Sequence, residues 1–426
     1  MPRNRKFVVR VSLGALALSV LFAVALYYGV AEFRQRYPNQ GVFSGARLRD
    51  SAAILLGTDV ALSRYEPRPM LVVKREAVTR ASYPAIDVHF HLESLPESVT
   101  PERLVQAMDA AGIDKVVNLG GLPGMFEHFA STFRDRYPDR FILFVKPDLG
   151  ALGHEGGLAE QMEWLEKAVR LGARGVKLSK SFGMGQRDSH GNLIPVDDPR
   201  LDPIWELAGR LGMPVLIHTS EPAAFFEPPD FSNERYEELV AHAQFSRFGK
   251  SPSRDELMAQ RERLLARHPQ THFIGAHVGM NEDDLGYAAQ LLDRYPNYYV
   301  DIAAVVHALG RQPYTARRFF IRYQDRILFG TDGGFGLKAD GDGWTPERLF
   351  RSYVEFLETD NEYLEYPLAD IARQGRWRIY GLDLPAEVLE KIYVRNAERL
   401  IPTEAAIVER LAKTPAALNL PPTEPD

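Results

Sequence analysis

From residue 85 onward, short apolar runs alternate with stretches of helical period, and this alternation limits the fold more than any other feature of the chain. Eight runs can be read, at 86–91, 115–119, 141–146, 175–179, 214–218, 273–277, 298–302 and 327–332. Between them, segments such as 101–111, 158–171, 254–268 and 284–295 carry the apolar spacing of amphipathic helices. Strands that alternate with helices build a parallel sheet whose crossovers are helical. Eight such units over roughly 300 residues predict an α/β fold, the (β/α)8 or TIM barrel. Two insertions interrupt the count. One follows His218 ("EPAAFFEPPDFSNERYEEL"), and the other follows Asp332 and runs to about residue 385. Both start at the C-terminal end of a strand, the end where barrels of this kind do chemistry.

The N-terminus reads differently. Arg3, Arg5, Lys6 and Arg10 precede an uncharged run over 11–31, long enough to span a bilayer as a single transmembrane helix. Basic residues ahead of such a run favour a cytoplasmic N-terminus, which puts the barrel on the non-cytoplasmic side, periplasmic or extracellular. A cleaved signal segment is the alternative, with small residues at Ala23, Ala25 and Ala31, and it would give a secreted barrel. The expected organisation is therefore a membrane anchor or signal at 1–31, a Pro- and Gly-bearing connector at 32–84, the barrel at 85–401 and a tail at 402–426. A homodimer stays open.

Composition narrows the chemistry. The chain has no cysteine, which removes disulfides, thiolate metal sites and a cysteine nucleophile. A net charge of -6 and the lack of a Lys/Arg run outside the N-terminus argue against a nucleic-acid partner. "GTDGGFG" lacks the lysine and serine of a phosphate-binding loop, and no Gly-x-Ser-x-Gly elbow is present. The ends of the runs carry the polar residues: "AIDVHFHLE" holds His89 and His91, "GARGVKLSK" Lys177, "GMPVLIHTSEP" His218, "HFIGAHVG" His277 and "ILFGTDGG" Asp332. Strand alternation puts Asp87, His89 and His91 on one face and Val88, Phe90 and Leu92 on the other. A His-x-His alone is more often a structural pair than a ligand pair. Five strand ends carrying such residues in order are hard to attribute to packing. Lys180, Arg187, Glu221 and Asn281 lie just beyond strands four, five and six, where they could recognise a polar small-molecule substrate.

These pieces, with "YPNYYVDIA" and the closing "EVLEKIYVRNAERLI", resemble the amidohydrolase superfamily across residues 85–401. They are most similar to the amidohydrolase-related branch that includes aminocarboxymuconate-semialdehyde decarboxylase. The resemblance implies metal ligands at His89, His91, His218 and Asp332, with Asp332 also touching the reacting water. It implies that His277 either polarises the substrate or binds a second metal, and that Lys177 either bridges two metals as a carbamate or holds a substrate carboxylate. Asp87 would support the histidine pair by hydrogen bonding. One divalent ion is expected, Zn2+ first, with Mn2+, Fe2+, Ni2+ and a two-metal site left open. The implied activity is metal-dependent hydrolysis of an amide, ester or lactone, with Asp332 accepting a proton and His277 donating to the oxyanion. The alternatives are a non-oxidative decarboxylase and a degenerate barrel kept as a binding protein.

Overall fold

The structure, a computed structural model, describes residues 70–334, 337, 345–365 and 374–414, with isolated positions 22, 24, 25, 27 and 28. The chain divides into two units, Met1–Val72 and Val73–Asp426. Apart from those isolated positions, which are helical, the expected anchor at 11–31 lies outside the described residues. Among the described residues no helix is long and apolar enough to cross a membrane.

The second unit is built on β1 (Ala85–Phe90), β2 (Ile113–Gly121), β3 (Phe141–Val145), β4 (Ala173–Leu178), β5 (Val215–Ile217), β6 (Phe273–Gly275), β7 (Tyr298–Asp301) and β8 (Ile327–Leu328). All eight form one sheet in chain order, every neighbouring pair parallel. A helix follows each strand: α1 (Pro101–Ala111), α2 (Met125–Phe129), α3 (Gly157–Arg170), α4 (Asp202–Leu211), α5 (Arg254–Arg267), α6 (Leu285–Arg294), α7 (Pro313–Arg322) and α8 (Pro346–Glu358). Local chemistry sets their ends. Thr100 caps α1 by accepting from the Arg103 amide, Pro101 fits the first turn, and Gly112 takes the left-handed φ of 77° that stops it. The result is the parallel, near-closed barrel that the strand–helix alternation predicts.

Two apolar layers hold it. The outer layer packs helices on the sheet and includes Phe90, Val116, Phe141, Val176, Val215, Phe273 and Val300. The inner layer includes Ile86, Val88, Val117, Phe144, Leu216, Ile274, Tyr299 and Leu328, and it is joined by Leu400 and Ile401. Register ties Lys177 to this inner face: Lys177 pairs with Leu216, Leu216 with Ile274, and Ile274 with Tyr299. Fully burying one large apolar side chain contributes about 1.5–3 kcal/mol.

The closure of the barrel departs from simple alternation. Val88 belongs to the inner layer, whereas Phe90 and Leu92 belong to the outer one. The pairing of β1 with β2 shifts between Asp87 and Phe90, so a bulge turns both Val88 and His89 inward. The bulge lets β1 meet the segment after β8. Val88 N donates to Phe329 O at 2.9 Å, Asp332 N to His89 O at 2.8 Å, and His91 N to Gly333 O at 2.8 Å. The Asp87 carboxylate staples the same seam, accepting from Thr331 N at 3.1 Å and Thr331 Oγ1 at 2.5 Å. The glycine pair of "GTDGG" is needed for this approach. A Cβ on Gly333 would lie 2.3 Å from the Phe90 ring, and one on Gly334 2.2 Å from His91 O. Gly334 also holds a φ of 125°. Gly334→Ala should therefore destabilise the fold by about 2 kcal/mol or more. Thermal unfolding checks this, and an unchanged midpoint would contradict it.

Candidate metal centre at the barrel mouth

His89 lies within β1, whereas the other expected histidines and Asp332 lie just beyond the strand ladders. His91 directly follows β1 and His218 follows β5, while His277 and Asp332 lie a few residues past β6 and β8. Past the ladder the backbone is free to turn, and His277 and Asp332 both take a φ of 59°. At Asp332 this turn brings Oδ1 to 3.2 Å from His89 Nε2 and 3.2 Å from His91 Nε2. The far sides of both imidazoles are anchored. His89 Nδ1 donates to Asp301 Oδ2 at 2.8 Å, and His91 Nδ1 to Glu93 Oε1 at 2.8 Å. Lys146 Nζ lies 3.4 Å from the same Glu93 oxygen. Each ring thus aims Nε2 at the same point, an orientation that an anchored histidine ligand requires.

The other two histidines form a relay. His277 Nδ1 faces the Ala303 carbonyl at 2.7 Å, so that nitrogen carries the proton and donates. Its Nε2 then accepts from His218 Nδ1 at 3.2 Å. His218 Nε2 is left with a lone pair, shielded from solvent and without a partner. Burial, with His277 and Lys177 beside it, holds His218 well below its ordinary value and keeps it neutral. His277 is likewise lowered by burial. In this arrangement His277 fixes the tautomer of His218. Donation to an oxyanion, as expected of His277 from the sequence, needs a second proton on its Nε2.

The segment carrying His277 is strained. His277, Val278, Gly279 and Met280 all have positive φ, between 54° and 65°. Such backbone persists only where its surroundings dictate it. Asp301 Oδ1 accepts from His277 N at 2.8 Å, Arg254 donates to Met280 O at 2.6 Å, and Arg261 donates to Gly279 O. Asn281, expected to face substrate, is fully buried and donates to Gly279 O at 2.9 Å.

A sequence model of the amidohydrolase family matches residues 86–403, which includes every residue of this cluster. The chain belongs to the amidohydrolase family. Among solved structures, an uncharacterised TIM-barrel protein from Bordetella bronchiseptica gives a TM-score of 0.45 at 18% identity, covering 76% of this chain and 99% of that one. The 4-oxalomesaconate hydratase LigJ from Rhodopseudomonas palustris gives 0.45 at 16% identity, covering 77% and 99%. The 5-carboxyvanillate decarboxylase from Novosphingobium aromaticivorans gives 0.43 at 16% identity, covering 76% and 98%. No curated protein matches the chain.

Amidohydrolases are metal-dependent, and the donor set here fits a divalent cation. Ligand atoms of His89, His91 and Asp332 lie within 4.8 Å of one another, as do those of His89, His277 and Asp301. His218 joins neither trio, but its orphaned Nε2 offers a buried lone pair of the kind a cation takes up. Burial alone would raise Asp332, but His89, His91 and His277 hold it well below the ordinary carboxylate range. Burial and Lys177 pull His89 down, yet Asp301 and Asp332 outweigh them and raise it. Lys177 is 3% exposed, and burial pushes its amine down to about 8 against the pull of Asp332 and Asp301.

The remaining expected residues divide. Lys180 pairs with Glu221 at 3.2 Å and lies over the Phe245 ring at 5.0 Å, which ties the fourth and fifth loops together. Arg187 is exposed and donates to Gly191 O within its own hairpin. Asp87 reaches the backbone amide of His89, not its ring. The ring partners Asp301 and Glu93 carry no expectation from the sequence reading. A signal existed for each: Asp301 lies near the end of the seventh run in phase with Tyr299, and Glu93 is in phase with the histidine pair.

Asp301→Asn replaces an acceptor of the His89 proton with an amide that can turn its N–H towards the ring. Metal affinity should fall roughly 10–100-fold with the fold retained. Chelator competition measures it, and undiminished affinity would contradict the positioning role of Asp301.

Proposed function

We propose that this amidohydrolase is a hydrolase acting on an amide, ester or lactone of a small molecule, with one divalent ion, Zn2+ first, held by His89, His91, His218 and Asp332. The observation that carries the reading is the convergence of His89 Nε2 and His91 Nε2 on one oxygen of Asp332, each at 3.2 Å, with both rings anchored behind. A divalent cation there supplies a water whose pKa is lowered towards neutrality. The chain's own residues do the rest. Asp332, 23% exposed and kept ionised by the histidines around it, accepts the proton. Asp301 and Glu93 hold the imidazoles in orientation, and His277 fixes the tautomer of His218. The basic residues ahead of the uncharged run at 11–31 support an enzyme anchored in a membrane with its barrel on the non-cytoplasmic side.

A second reading, non-oxidative decarboxylation, is favoured by Lys177. Its amine is buried on the inner face and makes no ion pair among the described residues, so it could hold a substrate carboxylate beside Asp332. Two experiments separate the readings. His89→Ala, His91→Ala and Asp332→Ala should each lose bound metal and activity, read by elemental analysis and by turnover of a panel of amides, esters and lactones. Full turnover by metal-free Asp332→Ala would sink both readings. Supplying aromatic carboxylic acids and measuring carbon dioxide distinguishes them: hydrolysis expects none, whereas release that Lys177→Met abolishes would favour the decarboxylase.

A further inference from the structure

A cavity of about 200 Å3 lies among the loops at the same end of the barrel as this centre, lined by Ala223, Glu282, Asp283, His307, Arg311 and Trp377 among others. It is built by the loops after β5, β6 and β7, the strands whose ends carry His218, His277 and Asp301, with Trp377 added from the chain beyond α8. Its volume is below the ~300–1,000 Å3 of a pocket for a whole drug-sized ligand, so it suits one part of a substrate.

The charges around it do not balance. Glu234, Glu282 and Asp283 line the cavity against Arg235 and Arg311, three carboxylates to two guanidiniums. Both arginines are already paired, Arg235 also donating to His307 Nε2 of the cavity wall at 3.0 Å. Arg311 donates to Glu234 at 2.6 Å and stacks over Trp377 at 4.3 Å, and Arg235 donates to Glu238 at 2.5 Å. Asp283 has Arg254 at 3.5 Å. Glu282 makes no ion pair among the described residues, although Arg235 and Arg254 are near enough to pull its carboxyl down. It is 2% exposed, and its Oε2 has no hydrogen-bond partner. Burial, with Asp283 adjacent, pushes its carboxyl up to about 7. A buried acceptor without a donor costs about 1–3 kcal/mol, and more when charged. Glu282 combines such an oxygen with a place in the wall of a cavity.

We propose that this cavity is a subsite for a cationic nitrogen of the substrate, an ammonium or guanidinium group held by Glu282. The inference rests on the hydrolase reading only for what happens at the other end of the substrate. The substrate class becomes an amide, ester or lactone that bears a basic group away from the bond cleaved.

The test is calorimetric titration of the full-length protein with benzylammonium chloride at pH 8, with benzyl alcohol and benzoate as comparisons. Saturable binding of benzylammonium, at least tenfold tighter than benzyl alcohol, is expected. Glu282→Gln should weaken it at least tenfold while metal content stays unchanged and the melting temperature does not fall, and Ala223→Trp, which fills the cavity, should block it. Absence of saturation, equal binding of benzyl alcohol or benzoate, or unchanged binding to either variant would overturn the proposal. The readout is binding, so a failure of the hydrolase reading, seen as absent metal or turnover, is registered separately.

Discussion

The seam between β1 and the segment after β8 is the constraint on which the rest of the molecule depends. Three backbone hydrogen bonds and the Asp87 staple close the barrel there, and the same bonds put Asp332 against His89 and His91. Closure and site assembly are therefore one event. The bulge that turns Val88 and His89 inward together, the left-handed turn at Asp332 and the two glycines beyond it all serve this contact. A residue with a side chain at Gly334 would push apart the strands that present the ligands.

Away from the seam, the mouth is a concentration of buried charge that neutral packing would not tolerate. Asp301 shows how it is stabilised: one carboxylate accepts from His89 Nδ1, His277 N and Ala303 N. Charge-assisted hydrogen bonds of this kind offset the desolvation of a buried carboxylate. The same carboxylate orients His89 and the strained backbone of His277, coupling β1, β6 and β7 at one point. Lys177 and Glu282 have opposite charges near them but no ion pair among the described residues, which is the physical ground for reading both as groups that meet a ligand.

Most of the fold was legible from the sequence. The eight apolar runs match the eight strands, because strands buried on both faces must be apolar throughout. The helix at 101–111 is bounded by a cap, a proline and a glycine that can be read directly. The histidines and Asp332 were legible as strand ends, and the family match over residues 86–403 supports the resemblance drawn from them. The bulge in β1 was not legible, since alternation is a local rule and the bulge answers to a partner segment some 240 residues away. Asp301 and Glu93 were missed because their role depends on which ring nitrogen faces them, and that is fixed only in three dimensions. Asn281 looked available by position, but the strained turn before it consumes its amide.

The central claim is that the histidines and Asp332 bind one metal together, and X-ray absorption spectroscopy of the zinc-loaded protein tests it most directly. The account expects a shell of nitrogen and oxygen donors at about 2.0–2.2 Å with the outer-shell scattering of several imidazoles. That scattering should diminish in His218→Ala. A shell of oxygens alone, or a spectrum that His218→Ala leaves unchanged, would contradict it.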